Sequence, residues 1–195
     1  MPSALRSPER HSNRRVVAAA VRGDQAAWDR IVDRYASLVW AIARSHRLSP
    51  GDAADVVQAT WLRLVEHLAD IRNADGIGAW LATTARREAL LTIRRAARCE
   101  PSDDVDVMCD TPGLDAGLLR QERLRAVAAA LHRLPPRDQA LLRLLALDPA
   151  PSYEEIGAAL AMPIGSIGPT RGRALERLRR ELDRAGVPDM FRDAD

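Results

Sequence analysis

The stretch from Ser152 to Leu182 is helical in periodicity, but it is broken by Pro163, Pro169 and the glycines from Gly157 to Gly172. That punctuation leaves it few ways to fold. Ser152 and Glu155 have the spacing of a capping box, in which each side chain satisfies an N–H at the start of a helix. Ile156 and Leu160 fall on the inward side of that short helix, and Gly157 and Ala158 are small enough to let another helix come close. Met162-Pro163-Ile164-Gly165 ends it, because proline cannot continue the ladder and disfavours helix at the residue before it. A second helix is expected to begin near Ser166 as N-cap, with Pro169 inside its first turn. Ile167, Leu175, Leu178 and Leu182 form its apolar line, while Arg171, Arg173, Arg177 and Arg180 project elsewhere. A short helix, a tight turn and a longer basic helix make the pattern of a helix-turn-helix that lays its second helix in a DNA major groove. An αα-hairpin with a solvated arginine face is the plainer reading.

The rest of the chain reads as helix too. Aromatic residues are few, and no long β-branched run interrupts the Ala, Leu and Arg, so the fold class is all-α. With 195 residues there is room for two small helical domains. The net charge of +2 does not by itself mark a nucleic-acid binder, but the charge is unevenly placed. Arg86, Arg87, Arg94, Arg95 and Arg98 crowd one helical stretch; Glu100, Asp103, Asp104, Asp106, Asp110 and Asp115 follow with no base among them. Arginine is used throughout and lysine is absent, which points to a GC-rich genome before function, although arginine also suits phosphate and guanine recognition. Cys99 and Cys109 stand without a CxxC or Cys/His cluster. The clustered aspartates match no calcium loop, so neither metal nor cofactor is expected. No apolar run has the length of a membrane span and no apolar signal core opens the chain, so the expected location is the cytoplasm, with no membrane insertion.

In order, residues 1–15 are polar, contain two prolines, and are expected to form a disordered tail. Residues 16–98 carry three helical patterns. The first has Asp24 as a candidate N-cap and Trp28, Ile31, Val32, Tyr35, Val39, Ile42 and Ala43 as its core stripe. Ser49-Pro50-Gly51-Asp52 opens the second, whose buried face is Ala53, Val57, Trp61, Leu64 and Leu68. Its opposite line, Asp55, Gln58, Leu62 and Glu66, reads as solvent face or docking surface. After a loop at 71–76, the third runs from about Ile77 to Arg98, with Trp80, Leu81, Thr84, Ala85, Leu90 and Ile93 inward or partly inward. Its arginines, Thr83 and Trp80 suit a single-stranded nucleic-acid platform, where charge follows the backbone and flat groups meet bases. Residues 99–117 read as an acidic flexible linker. Residues 118–184 make the second domain: Leu119, Leu124, Val127, Ala128 and Leu131 in one helix, a stop at Leu134-Pro135-Pro136, then Ala140, Leu141, Leu144 and Leu145 before the helix-turn-helix. Residues 185–195 read as a tail.

Several motifs agree in order and spacing. Asp52-Ala-Ala-Asp55-Val-Val-Gln58-Ala-Thr-Trp61, Trp80-Leu-Ala-Thr-Thr-Ala-Arg86, Leu134-Pro-Pro-Arg137-Asp, Tyr153-Glu-Glu-Ile-Gly and Pro163-Ile-Gly-Ser-Ile resemble bacterial RNA polymerase sigma factors of the extracytoplasmic-function (ECF) branch, over roughly residues 16–184. The resemblance implies that residues 16–98 are a region-2 domain, docking core RNA polymerase through Asp52, Asp55, Gln58 and Leu62. It implies that Asn73, Trp80, Thr83, Arg86, Arg87 and Arg94 bind the −10 element, with a flipped base at the Asn73–Gly76 loop. Residues 118–184 would be a region-4 domain reading the −35 element through Ser166, Thr170, Arg171, Arg173 and Arg177. Gly168-Pro169 replaces the polar pair usual in the family, which moves base reading toward Thr170, Arg171 and Arg173. The implied partners are core polymerase, promoter DNA and, as for many relatives, an anti-sigma factor.

A stand-alone helix-turn-helix regulator on duplex operators is the alternative, but it leaves the outer line of the 52–68 helix without a use. An enzyme is the third. No His, Cys or Ser stands in a recognisable nucleophile or acid/base motif, so none is expected.

Overall fold

The computed structural model describes residues 7–71, 73–97 and 118–186, and the described residues are helical with no strand. The linker 99–117, with Cys99 and Cys109, and residues 187–195 lie outside them. The order is α1 (Ser7–Val21), α2 (Gln25–Ser45), α3 (Pro50–His67), two 3-10 turns (Leu68–Asp70 and Ala74–Gly76) and α4 (Ile77–Ala96). The second half holds α5 (Leu118–His132), α6 (Pro136–Leu145), α7 (Tyr153–Leu160) and α8 (Ile164–Arg184).

Caps and prolines explain where α2, α3, α6 and α7 start. Asp24 accepts from the N–H groups of Ala26 and Ala27, as its sequence position implied. Ser49 accepts from Asp52 N–H at 3.1 Å with Pro50 at N1; its hydroxyl donates to the Asp52 carboxylate at 2.6 Å, so Asp52 holds the hydroxyl rather than the Ser49 N–H. The Ser152–Glu155 box is reciprocal, at 3.2 and 2.6 Å. Pro136 opens α6, as the Leu134-Pro135-Pro136 stop requires.

Four boundaries or faces differ from the sequence expectation. Helix α1 covers Ser7 onward, where a disordered tail was expected. Val17 and Ala20 are buried, Asn13 donates to the Tyr35 hydroxyl at 3.4 Å, and Arg14 pairs with Asp75 at 3.4 Å; these tertiary contacts hold a polar segment. Helix α8 starts at Ile164, not at Ser166, and runs straight through Pro169. Ser166 sits within its first turn, donating to the Pro163 carbonyl at 2.7 Å. On α8 Leu175 is exposed and Ala174 is buried in its place, since spacing along a helix assigns a face only to within one residue. Val32, Ile93 and Leu124 are likewise exposed and Ala128 faces solvent; Ala130 and Leu38 take core places instead. Trp28 is half-buried, its indole N–H donating to the Ala20 carbonyl at 3.1 Å.

Two helical halves are present, but their cores do not divide at the linker. One apolar cluster joins Tyr35, Ile42, Val56, Leu64, Ile77 and Leu81 to Leu141, Leu144, Ile156, Met162 and Ile167 of the second half. A separate small cluster, Ala130, Leu134, Leu178 and Leu182, ties α5 to the C-terminal part of α8. Helix α7 lies along α4, and α6 meets α2.

Candidate nucleic-acid interface

Three surfaces carry the residues singled out in the sequence. The first is the outer face of α3. Asp55, Gln58 and Leu62 recur at three- and four-residue steps and all are exposed. Leu62 is 58% exposed and Val65, beside it, 61%. Together they form a small apolar patch on that face. The sequence reading missed Val65. Asp52 stands apart, half-buried and held by Ser49.

The second surface is a cleft of about 640 Å³ between the end of α3, the turns after it and α4. Asn73, Gly76, Trp80, Thr84 and Arg87 line it, with Arg63 and His67 from α3. Its volume falls in the range of small-ligand sites, enough for one flat heterocycle. Asn73 is shaped locally: its side chain accepts from Asp75 N–H at 3.2 Å and caps the 3-10 turn. Trp80, Thr84 and Arg87 follow at four- and three-residue steps, which puts them on one side of α4. Glu88 on the same side pairs with Arg63 at 3.6 Å and braces α3 against α4.

Of the six residues assigned to the −10 element, the cleft therefore gathers Asn73, Trp80 and Arg87. It does not gather the others. Thr83 turns its hydroxyl to the Ala79 carbonyl at 2.9 Å. Arg86 is half-buried with its Nε shielded from solvent, and its charge acts on His46 at the end of α2. Burial first, and Arg86 second, hold the His46 imidazole below its ordinary pKa. Arg94 is exposed near the far end of α4. Thr84, Arg63 and His67 are among the lining residues to which the sequence reading assigned no contact role here; the first is the four-residue neighbour of Trp80, and the other two converge only in three dimensions.

The third surface is the N-terminal half of α8, with its supporting turn. Ala161 ends α7 in the left-handed region (φ 49°), and Met162 N–H bonds the Gly157 carbonyl at 3.0 Å. Gly157 is required there: a Cβ on it would lie 2.9 Å from the Met162 carbonyl oxygen. On α8 itself Arg171 and Arg173 are exposed, and Arg173 donates to the Thr170 hydroxyl at 3.3 Å. Around Gly165, Gly168 and Gly172 a Cβ would meet nothing within 4 Å, so the helix surface at those positions is open. Arg177 differs. It is hydrogen-bonded to the buried Asp138 carboxylate on α6. Among the described residues no group of His, Cys, Asp and Glu could hold a metal, and no helix is long and apolar enough to cross a membrane.

The described residues are helical, with an aromatic-basic cleft in one half and a short helix, a turn and a longer basic helix in the other. Residues 31–99 match the family model described as Sigma-70 region 2. The chain is 32% identical over 167 residues to the ECF RNA polymerase sigma factor SigE of Mycolicibacterium smegmatis, covering 80% of this chain and 63% of that protein. It is 27% identical over 175 residues to the ECF RNA polymerase sigma-E factor of Escherichia coli K12, covering 84% and 90%. Two solved structures share its fold. They are CnrH, in complex with the cytosolic domain of CnrY (TM-score 0.58, 24% identity, 88% of this chain and 97% of that one), and the sigma factor RpoE of Bartonella quintana, in complex with the anti-sigma factor NepR (0.56, 23%, 80% and 96%). The chain thus matches Sigma-70 region 2 over residues 31–99 and is similar along most of its length to ECF RNA polymerase sigma factors.

Proposed function

We propose that this chain is a promoter-specificity subunit that binds core RNA polymerase and directs transcription initiation. The observation that carries the reading is the cleft in which Asn73, Trp80 and Arg87 converge. A flat aromatic, a guanidinium and an amide in one pocket fit a base taken out of the stack, with the arginine following the strand. The exposed Asp55–Gln58–Leu62–Val65 face of α3 serves as the polymerase contact, where apolar side chains are desolvated and the polar pair fixes register. Arg171 and Arg173, with Thr170, serve as the −35 readers, since arginine can bond guanine bidentately in the major groove. Ser166 is spent on the first turn of α8, and Arg177 on Asp138. An anti-sigma protein is the regulatory partner this reading accommodates.

Run-off transcription with purified core polymerase and GC-rich genomic fragments tests the reading. Discrete transcripts should require the chain and fade with Asp55→Ala/Gln58→Ala, with Trp80→Ala, or with Arg171→Ala/Arg173→Ala. No stimulation of core, together with tight duplex binding by the chain alone, would overturn it in favour of an independent regulator.

A further inference from the structure

Helix α1 reaches the turn that forms one wall of the cleft. It packs on α2 and also on the two 3-10 turns that lead into α4. Val17 and Ala20 bury its apolar side, and Asn13 donates to the Tyr35 hydroxyl at 3.4 Å. Arg14 is thereby carried to the 74–76 turn, where its Nε lies 3.4 Å from the Asp75 carboxylate. Asp75 is joined in its turn to the cleft. Its N–H donates to the Asn73 side-chain oxygen at 3.2 Å, and Gly76 N–H bonds the Asn73 carbonyl at 3.0 Å. A Cβ at Gly76 would lie 3.4 Å from Asn73 Nδ2, so the turn is wrapped closely around that amide. Asn73 lines two cavities: the cleft it shares with Trp80 and Arg87, and a second of about 570 Å³ lined also by Asn13, Arg14 and Asp75. With its oxygen held by Asp75 N–H, Asn73 has its NH2 group to donate to a base.

An ion pair between two solvated side chains contributes little. This one is lopsided. The Arg14 side chain is 71% exposed, but that of Asp75 only 19%, and Asp75 Oδ1 is shielded from solvent with no hydrogen-bond partner among the described residues. A carboxylate so placed depends on the guanidinium beside it. Without that guanidinium the charge must be hydrated, and the turn has to open to admit water. Opening moves Asp75, and with it the N–H that sets the Asn73 amide. We propose that Arg14 is a positioning residue for base recognition: through Asp75 it fixes the Asn73 amide in the cleft, so that α1 sets how sharply the −10 element is read without itself touching DNA. The proposal rests on the reading of the cleft as the site of a captured base. The relay from Arg14 through Asp75 to Asn73 lies wholly within the first half, and it gives the polar start of α1 a use.

Amide hydrogen exchange of the full chain, paired with run-off transcription from single-base variants of the −10 element, tests the relay. The proteins compared are the unaltered chain, Arg14→Ala, Arg14→Lys and Arg14→Ala/Asp75→Asn. The captured position is the one whose substitution Trp80→Ala no longer senses. Arg14→Ala should speed exchange of the Asp75 amide and narrow the ratio of preferred to other bases at that position, each about fivefold, the worth of one net hydrogen bond. Arg14→Lys should keep both, since an ammonium also compensates the carboxylate. Arg14→Ala/Asp75→Asn should recover most of the ratio, because no buried charge then remains to be hydrated. Unchanged exchange at Asp75 in Arg14→Ala overturns the proposal. So does a fall in transcription that is equal for all four bases; a salt slope of promoter binding reduced by about 1 would then put Arg14 on a DNA phosphate. If exchange rises but the unaltered chain prefers no base at any position of the element, the reading of the cleft fails and the proposal falls with it, leaving Arg14 as a brace of the turn alone.

Discussion

Arg177 is the place where a structural and a DNA-binding role predict opposite measurements. The Asp138 side chain is 7% exposed and its partner Arg177 47% exposed. Asp138 also sits in the first turn of α6, where a negative charge is favourable. Deleting the arginine leaves a buried carboxylate with its best donor gone. A fully buried pair so broken costs about 3–5 kcal/mol. Here the arginine reaches solvent, so water can follow into its place, and the figure falls to about 2 kcal/mol, within the range of a hydrogen bond to a charged group. With an m-value of about 2 kcal/mol/M in urea, Arg177→Ala should lower the unfolding midpoint by about 1 M. The double variant Asp138→Asn/Arg177→Ala should cost less than the two single changes added together, because the carboxylate is then no longer stranded. Holoenzyme binding to a promoter fragment, followed against salt, supplies the other readout. If Arg177 bound a DNA phosphate, its removal would reduce the salt slope by about 1. An unmoved urea midpoint together with that shallower slope would show that Arg177 holds DNA and not α6.

Two further predictions concern the turn and the pH response. Gly157→Ala should destabilise by about 1–3 kcal/mol, because its Cβ collides with the Met162 carbonyl, while Ala161→Gly should stabilise by up to about 1 kcal/mol by relieving a left-handed alanine; thermal unfolding of both variants checks the pair, and a stabilising Gly157→Ala would refute the turn geometry. His46 has a folded pKa below 6.5, so the unfolded chain binds its proton more readily. Its contribution to stability is therefore full above about pH 6.5 and is lost as pH falls toward the depressed folded value. The stability of the unaltered chain should drop more steeply between about pH 7.5 and 5.5 than that of His46→Gln, and equal slopes would remove His46 from the account.

What the sequence determined alone is local. Ser152 with Glu155, Ser49 with Pro50, Asp24 and the Leu134-Pro135-Pro136 stop set helix boundaries, because caps and prolines act over three or four residues. The α3 line of Asp55, Gln58 and Leu62 was legible for the same reason: a helix fixes which residues share a face. Where tertiary contacts outweigh local preference, the reading shifted. The polar 7–15 segment is helical because Asn13 and Arg14 find Tyr35 and Asp75 across the fold, and Pro169 is carried inside α8 by a helix anchored at Ile167, Ala174 and Leu178. Ala174 takes the buried place expected of Leu175 because periodicity assigns a face only to within one residue.

The candidate site divided in the same way. Trp80 and Arg87 could be assigned from spacing along one helix, but Arg63 and His67 join the cleft only because α3 turns back over α4. Arg177 looked like its neighbours Arg171 and Arg173 in one dimension; Asp138, thirty-nine residues away, separates them. The union of the two halves in one core was likewise beyond the sequence, since Gly78, Tyr35 and Glu155 show no pattern until α4 and α7 meet. Hydrogen bonds within a turn are written locally in a chain, whereas burial and charge pairing depend on which distant surface closes over them.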